Sequence, residues 1–115
     1  VYDEDVKDDR KKDIVNRGGY KVYSAEVENV LLQHPAVTEA AVIPKPDPVL
    51  GERVHAVVFT AAAAAQEADL RAFCTERLAD YKVPESFTML DRPLPRNSNG
   101  KIVKRALRDA LFPLP

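Results

Sequence analysis

The sequence predicts an α+β domain: a small three-stranded sheet packed with helices and preceded by a short two-stranded hairpin. Three observations carry this. Residues 36–43 and 53–60 are rich in valine, three other segments repeat apolar residues at helical spacing, and Gly18-Gly19 separates two short strand-like stretches. At 115 residues the chain can bury one core without disulfides or a structural metal.

The elements follow in order. Residues 1–9 are crowded with Asp and Glu and read as a linker, with order starting near Arg10. Ile14-Val15 and Tyr20-Lys21-Val22-Tyr23 flank Gly18-Gly19, a pair that accepts positive φ and folds two strands back on each other. Ser24 suits a helix N-cap, and Glu26 and Glu28 follow where the helix dipole favours negative charge. Val27, Val30 and Leu31 form one apolar stripe, and Pro35 ends the helix near Gln33. The two valine-rich runs are antiparallel strand candidates, joined by a loop that holds Pro44, Pro46, Pro48 and Gly51. The alanine run 61–65 is a connector or an extension of the next helix. Leu70, Phe73, Cys74 and Leu78 mark that helix, which must stop before Pro84. Phe87-Thr88-Met89-Leu90 is a third strand; if it runs parallel to the one before, the helix between them is a right-handed crossover. Pro93, Pro95 and Gly100 bracket an irregular loop, and Val103, Ala106, Leu107, Ala110 and Leu111 describe a last helix.

Composition narrows the function classes. With 17 Lys and Arg against 18 Asp and Glu, the net charge of -1 gives no global pull toward nucleic acid or an anionic membrane. The one cysteine, Cys74, cannot form an internal disulfide, no apolar run is long enough to span a bilayer, and the start is acidic where a signal peptide is basic. A cytoplasmic protein is the expectation. All four glycines fall in turns, and none completes a phosphate loop or a dinucleotide fingerprint, so the chain holds no ATP by that route.

The most informative stretch is Leu94-Pro95-Arg96-Asn97-Ser98-Asn99-Gly100-Lys101-Ile102. Two prolines stiffen its approach, Asn99-Gly100 is a strong turn pair, and the helix beyond anchors its far side. Lys101 is thereby held on a rigid tip from which an ammonium reaches a neighbouring cleft. A solvated lysine beside a turn fits the same spacing.

Three segments together resemble the C-terminal domain of the adenylate-forming superfamily, which includes acyl-CoA synthetases, peptide-synthetase adenylation domains and luciferases. They are Asp9-Arg10-Lys11-Lys12-Asp13-Ile14-Val15 with Gly18-Gly19-Tyr20, then Ser24-Ala25-Glu26-Val27-Glu28, and Pro95-Arg96-Asn97-Ser98-Asn99-Gly100-Lys101. The resemblance runs from about Asp9 to Leu111, with Arg10, Glu26, Glu28, Asn99 and Gly100 as supporting positions, and is nearest to fatty or aryl acyl-CoA ligases. It implies residues 1–9 as a hinge-proximal linker and residues 10–115 as a C-terminal cap domain that is inactive without a large N-terminal domain.

The resemblance also implies two half reactions. A carboxylate attacks the α-phosphate of ATP to give an acyl-adenylate and pyrophosphate, and CoA thiol then displaces AMP. Lys101 matches the catalytic lysine of the first half. Lys12 and Asp13 match the hinge, and rotation there would bring Gly18, Gly19, Tyr20 and Lys21 to line the CoA pantetheine channel. Magnesium would be held by the N-terminal domain. The partners implied are that domain, CoA and an acyl substrate, without nucleic acid or a transmembrane segment. A stand-alone binding module that keeps the fold and contacts CoA, a carrier protein or a partner enzyme is the alternative.

Other residues invite weaker readings. His34 and His55 lack the paired spacing of metal ligands, and Cys74 lies on an apolar stripe, where burial is the ordinary fate of a free cysteine. Lys101, Lys104, Arg105 and Arg108 form a basic cluster that could attract CoA phosphates or RNA, although little aromatic interleaving supports base stacking.

Overall fold

The computed structural model describes residues 13–60 and 66–113. The linker reading of residues 1–9, the start of order near Arg10, the hinge position Lys12 and the alanine run 61–65 lie outside the described residues.

The element order is β1 (Ile14–Arg17), β2 (Tyr20–Tyr23), α1 (Ser24–Leu32), β3 (Val37–Asp47), β4 (Gly51–Thr60), α2 (Glu67–Thr75), a 3₁₀ turn (Asp80–Lys82), β5 (Ser86–Leu90) and α3 (Lys104–Leu111). The class is α+β, as expected, but the sheet has five strands rather than three with a separate hairpin. β4 is its axis. It pairs antiparallel with β3 on one side, and on the other it pairs parallel with β5 and bridges to β1 through Arg17 and Gly51. That bridge fuses the hairpin to the sheet.

Strand alternation explains the layers. Val54, Ala56 and Val58 of β4 face the same way as Ala40 and Val42 of β3, and α1 and α2 cover them with Val27, Leu31, Leu70 and Cys74. Ala41, Ile43 and Val57 face the opposite way and are covered by Leu94 and by Leu107 of α3. Residues 54–58 are therefore buried on both faces. Cys74 is buried, which pushes its thiol up to about 11 and removes it from nucleophilic chemistry.

Two local expectations change. Ser24 is the first helical residue rather than the cap: Tyr23 holds the cap position, the Ser24 N–H donates to the Asp13 carbonyl at 3.1 Å, and the Ser24 hydroxyl is buried without a partner. β2 runs straight into the helix, so that amide is still engaged with the hairpin. Pro44 and Pro46 lie within β3, not in a loop, and only residues 48–50 make the turn. β3 is an edge strand, where proline loses no ladder bond if its nitrogen faces outward. Val42 shares that parity, and its outward N–H donates to Glu28 Oε2 at 2.8 Å. The outer edge thus has one donor satisfied and the next two removed, which blunts it against pairing with another chain.

His55 is a core residue on the α3 side, edge-on to Phe112, with Nδ1 2.6 Å from the Ser86 hydroxyl and Nε2 2.8 Å from that of Thr88. Burial, with a smaller contribution from Lys45, lowers its pKa from 6.5 to about 4. No described helix is long and apolar enough to cross a membrane. Because the folded chain binds the His55 proton more weakly than the unfolded chain, this group stabilises the fold above pH 6.5, and the contribution fades as pH falls toward about 4. The urea midpoint should decline over that window more steeply in the native chain than in His55→Leu; equal slopes would contradict the assignment.

Candidate functional site

Two segments singled out by the sequence are held at opposite ends of the β3–β4 ladder. The first is the glycine turn between β1 and β2. The Gly18 N–H donates to the Leu50 carbonyl at 2.9 Å, and at Gly18, where φ is +56°, an added Cβ would lie 2.9 Å from Leu50 Cδ2. Glycine at 18 is favoured by the left-handed backbone, and a larger residue would in addition displace the tip of the Leu50 side chain. At Gly19 an added Cβ would meet nothing within 4 Å, so this stretch of backbone faces open space. Tyr20 is exposed and stacks on Tyr81 with ring centroids 4.8 Å apart, and Lys21 is exposed.

The partner of the glycine turn is organised by Asp47. Its carboxylate accepts the Leu50 and Val49 N–H groups at 2.8 and 3.0 Å and the Arg53 guanidinium at 2.7 Å, which together lower its pKa to about 2. Arg53 continues to Glu85 at 2.7 Å, and Glu85 receives Arg17 of β1 at 2.5 Å. Burial alone would raise the Glu85 carboxyl, but the two guanidinium partners outweigh it and hold it below the usual carboxylate range. The Asn16 N–H adds a bond to Glu52 at 2.7 Å. This chain of contacts fixes the hairpin to β3, to β4 and to the approach to β5.

The second segment carries Lys101. Asn97 Oδ1 accepts the Asn99 and Lys101 N–H groups at 2.9 and 3.1 Å, and the Gly100 N–H donates to the Asn97 carbonyl at 3.0 Å, with Gly100 at φ +82°. Arg96 and Ile102 form a bridge beneath the turn, and the Arg96 guanidinium donates to the Gly100 carbonyl at 2.6 Å. Lys101 is exposed and makes no ion pair among the described residues.

Beyond the turn, Lys104 pairs with Asp13 and, at 2.5 Å, with Glu28. Burial pushes the Glu28 carboxyl up, against the opposing pull of Lys104 and the Val42 N–H. Lys104 therefore leaves the basic surface cluster proposed from sequence; Arg105 and Arg108 remain exposed. Glu26 pairs with Lys82 at 3.0 Å. Among the described residues no group of three or more His, Cys, Asp or Glu side chains converges to hold a metal ion.

Glu39, which accepts the Leu94 N–H at 2.7 Å and pairs with Arg96, carries much of this geometry together with Arg53 and Glu85, and none of the three is a site residue in the sequence reading. The available signal was a charged residue, Glu39, inside an otherwise apolar strand run.

Residues 26–101 match the AMP-binding enzyme C-terminal domain family. The chain belongs to that family. It is 45% identical over 107 residues to 2,3-dihydroxybenzoate-AMP ligase of Bacillus subtilis (strain 168), covering 92% of this chain and 20% of that protein. It is also 45% identical over 104 residues to 2-succinylbenzoate--CoA ligase of the same strain, covering 89% of this chain and 21% of that one. Among solved structures, a fatty acyl CoA synthetase of Mycobacterium tuberculosis superposes with a TM-score of 0.82 at 39% identity, over 87% of this chain and 20% of the other. The chain thus spans about a fifth of the length of these relatives.

Gly18→Ala combines a left-handed backbone with a contact that Leu50 must yield to. Urea unfolding should show a loss of about 1–2 kcal/mol. Unchanged stability would mean that the hairpin is not seated on the Leu50 turn.

Proposed function

We propose that this domain is the mobile C-terminal part of an ATP-dependent, AMP-forming acyl-CoA ligase, with Lys101 as its catalytic residue. The observation that carries the reading is the Lys101 turn: a tightly bonded backbone that presents an exposed ammonium. The relatives named above, one an AMP ligase and two CoA ligases or synthetases by name, support a reaction in two halves.

In the first half a carboxylate oxygen attacks the α-phosphorus of ATP. The new P–O bond forms as pyrophosphate leaves with the electron pair of the broken bond. The substrate carboxylate and the triphosphate repel each other, and a fixed ammonium between them offsets the charge that builds in the transition state. In the second half the CoA sulfur attacks the acyl carbon, its thiol proton is lost to solvent or base, and AMP leaves. Gly18, Gly19, Tyr20 and Lys21 would border the pantetheine arm. Gly19 suits that place because its open backbone lets a thin thiol chain pass closely.

The large N-terminal domain would supply the acyl pocket, the ATP site and the ligands for magnesium. Lys12 and Asp13 would form the hinge between two poses, and a cytoplasmic location suits the chemistry. Asp13, the second of these hinge residues, is paired with Lys104 of α3, so the hinge's far side moves as one body with the helix beyond Lys101.

Lys101→Ala in the intact parent enzyme should slow adenylation, read by pyrophosphate exchange, on the order of 10²-fold or more. Thioester formation from preformed acyl-adenylate should survive. Normal adenylation in this variant would remove Lys101 from the mechanism. Lys12→Pro, which restricts the backbone at the hinge, should show the reverse: adenylation kept and thioester formation lost. If both half reactions proceed normally in it, rotation is centred elsewhere.

A further inference from the structure

Lys101 has no ion-pair partner among the described residues, so the aim of its side chain is set by the backbone that carries it. The peptide on its N-terminal side is gripped from outside the turn. One guanidinium nitrogen of Arg96 donates to the Gly100 carbonyl at 2.6 Å, and the other is paired with Glu39 Oε2. The second oxygen of Glu39 accepts the Leu94 N–H at 2.7 Å. A single carboxylate thus fixes both the approach to the turn and the arginine that spans it.

Glu39 is the first residue of β3 after an irregularity in its pairing. Regular pairing would put residues 37 and 39 on one face, but the register shifts between Val37 and Glu39, which pair with Thr60 and Phe59. Val37 packs in the α1–α2 core, whereas Glu39 meets Leu94 and Arg96 on the α3 side, opposite Phe59, which packs in that second core. Glu39 shares the parity of Ala41 and Ile43, so the regular pleating that starts at Glu39 puts its carboxylate in the layer that holds the lysine turn, and the bulge at Thr38 lets Val37 return to the α1–α2 core. The Glu39 side chain is only 16% exposed. Burial would raise its carboxyl, yet the Arg96 and Leu94 bonds prevail and hold it below the usual range, so it is charged at neutral pH.

We propose that Glu39 and Arg96 are positioning residues for Lys101, acting through the Gly100 carbonyl rather than by touching substrate. This rests on the role given to Lys101 above. Arginine is suited to the task because its planar fork serves a carboxylate and a carbonyl at once; a lysine keeps the charge next to Glu39 but lacks the fork.

The test uses the intact parent enzyme with Arg96→Lys, Glu39→Gln and Lys101→Ala side by side. Arg96→Lys and Glu39→Gln should lower kcat for adenylation about 10- to 100-fold, the scale expected when a catalytic group is misplaced by about 1 Å, with KM for ATP and carboxylate unchanged. Thioester formation from preformed acyl-adenylate, measured on the same preparations, should stay at the native rate and thereby report an intact fold. Normal adenylation in both variants, with Lys101→Ala slow, would overturn this inference alone. A parallel fall in both half reactions would overturn it in favour of a general structural role. Normal adenylation in Lys101→Ala would remove the Lys101 assignment and this inference with it.

Discussion

Everything placed in this domain is referred to one ladder, the antiparallel pairing of β3 with β4. Because residues 54–58 of β4 are buried on both faces, a one-residue slip of the ladder would exchange the set that faces α1 and α2 with the set that faces α3 and mismatch both cores. Helices α1 and α2 lie on one side and α3 on the other, so the ladder is also the wall through which the two layers are coupled. The glycine turn is docked at the Asp47 end, and the lysine turn is tethered at the Glu39 end. Eight residues of extended strand separate these anchors, roughly 25 Å. A bar of that length carries one segment at each end and holds the two at a fixed separation.

The ionic contacts divide along the same line. Arg17, Glu85, Arg53 and Asp47 connect β1, β3, β4 and the approach to β5 around the glycine turn. Lys104, Asp13 and Glu28 join the beginning of β1 to α1 and α3. Each set ties together elements far apart in sequence, and its central members, Arg53 and Glu85 in one and Lys104 in the other, each have two ionic partners, which distinguishes these sets from the exposed Arg92–Asp91 pair. Such isolated surface pairs contribute little, whereas partly buried pairs with geometry fixed by backbone bonds hold elements in register.

Much of the fold was legible in the sequence because it depends on local rules. Gly18-Gly19 and Asn99-Gly100 named their turns, and the apolar spacing named all three helices. Ser24 misled because capping depends on where the preceding strand lets go of its amide. Pro44 and Pro46 misled for a related reason: proline is excluded from a strand only where its nitrogen faces a partner, and that orientation is a property of the sheet. Lys104 read as surface charge because its partners lie 91 and 76 positions away in sequence, and Glu39 was passed over because Leu94 and Arg96, which it holds, lie 55 and 57 positions away. The lysine turn could be read from nine residues; what holds it could not.

The register shift in β3 has a consequence for how this strand can vary. Between Val37 and Glu39 the chain carries one extra residue, Thr38, so two positions separated by two in sequence enter opposite layers. From Glu39 onward the pairing is even, and the layer of the carboxylate is fixed by the ladder itself; the step governs only how Val37 and the chain arriving from α1 are seated. Loss of Thr38 would restore even pleating with both residues still in their own layers, whereas a deletion between Glu39 and Ile43 would exchange the faces of everything before it and carry the charge into the α1–α2 core. Length is therefore constrained most tightly on the C-terminal side of the step.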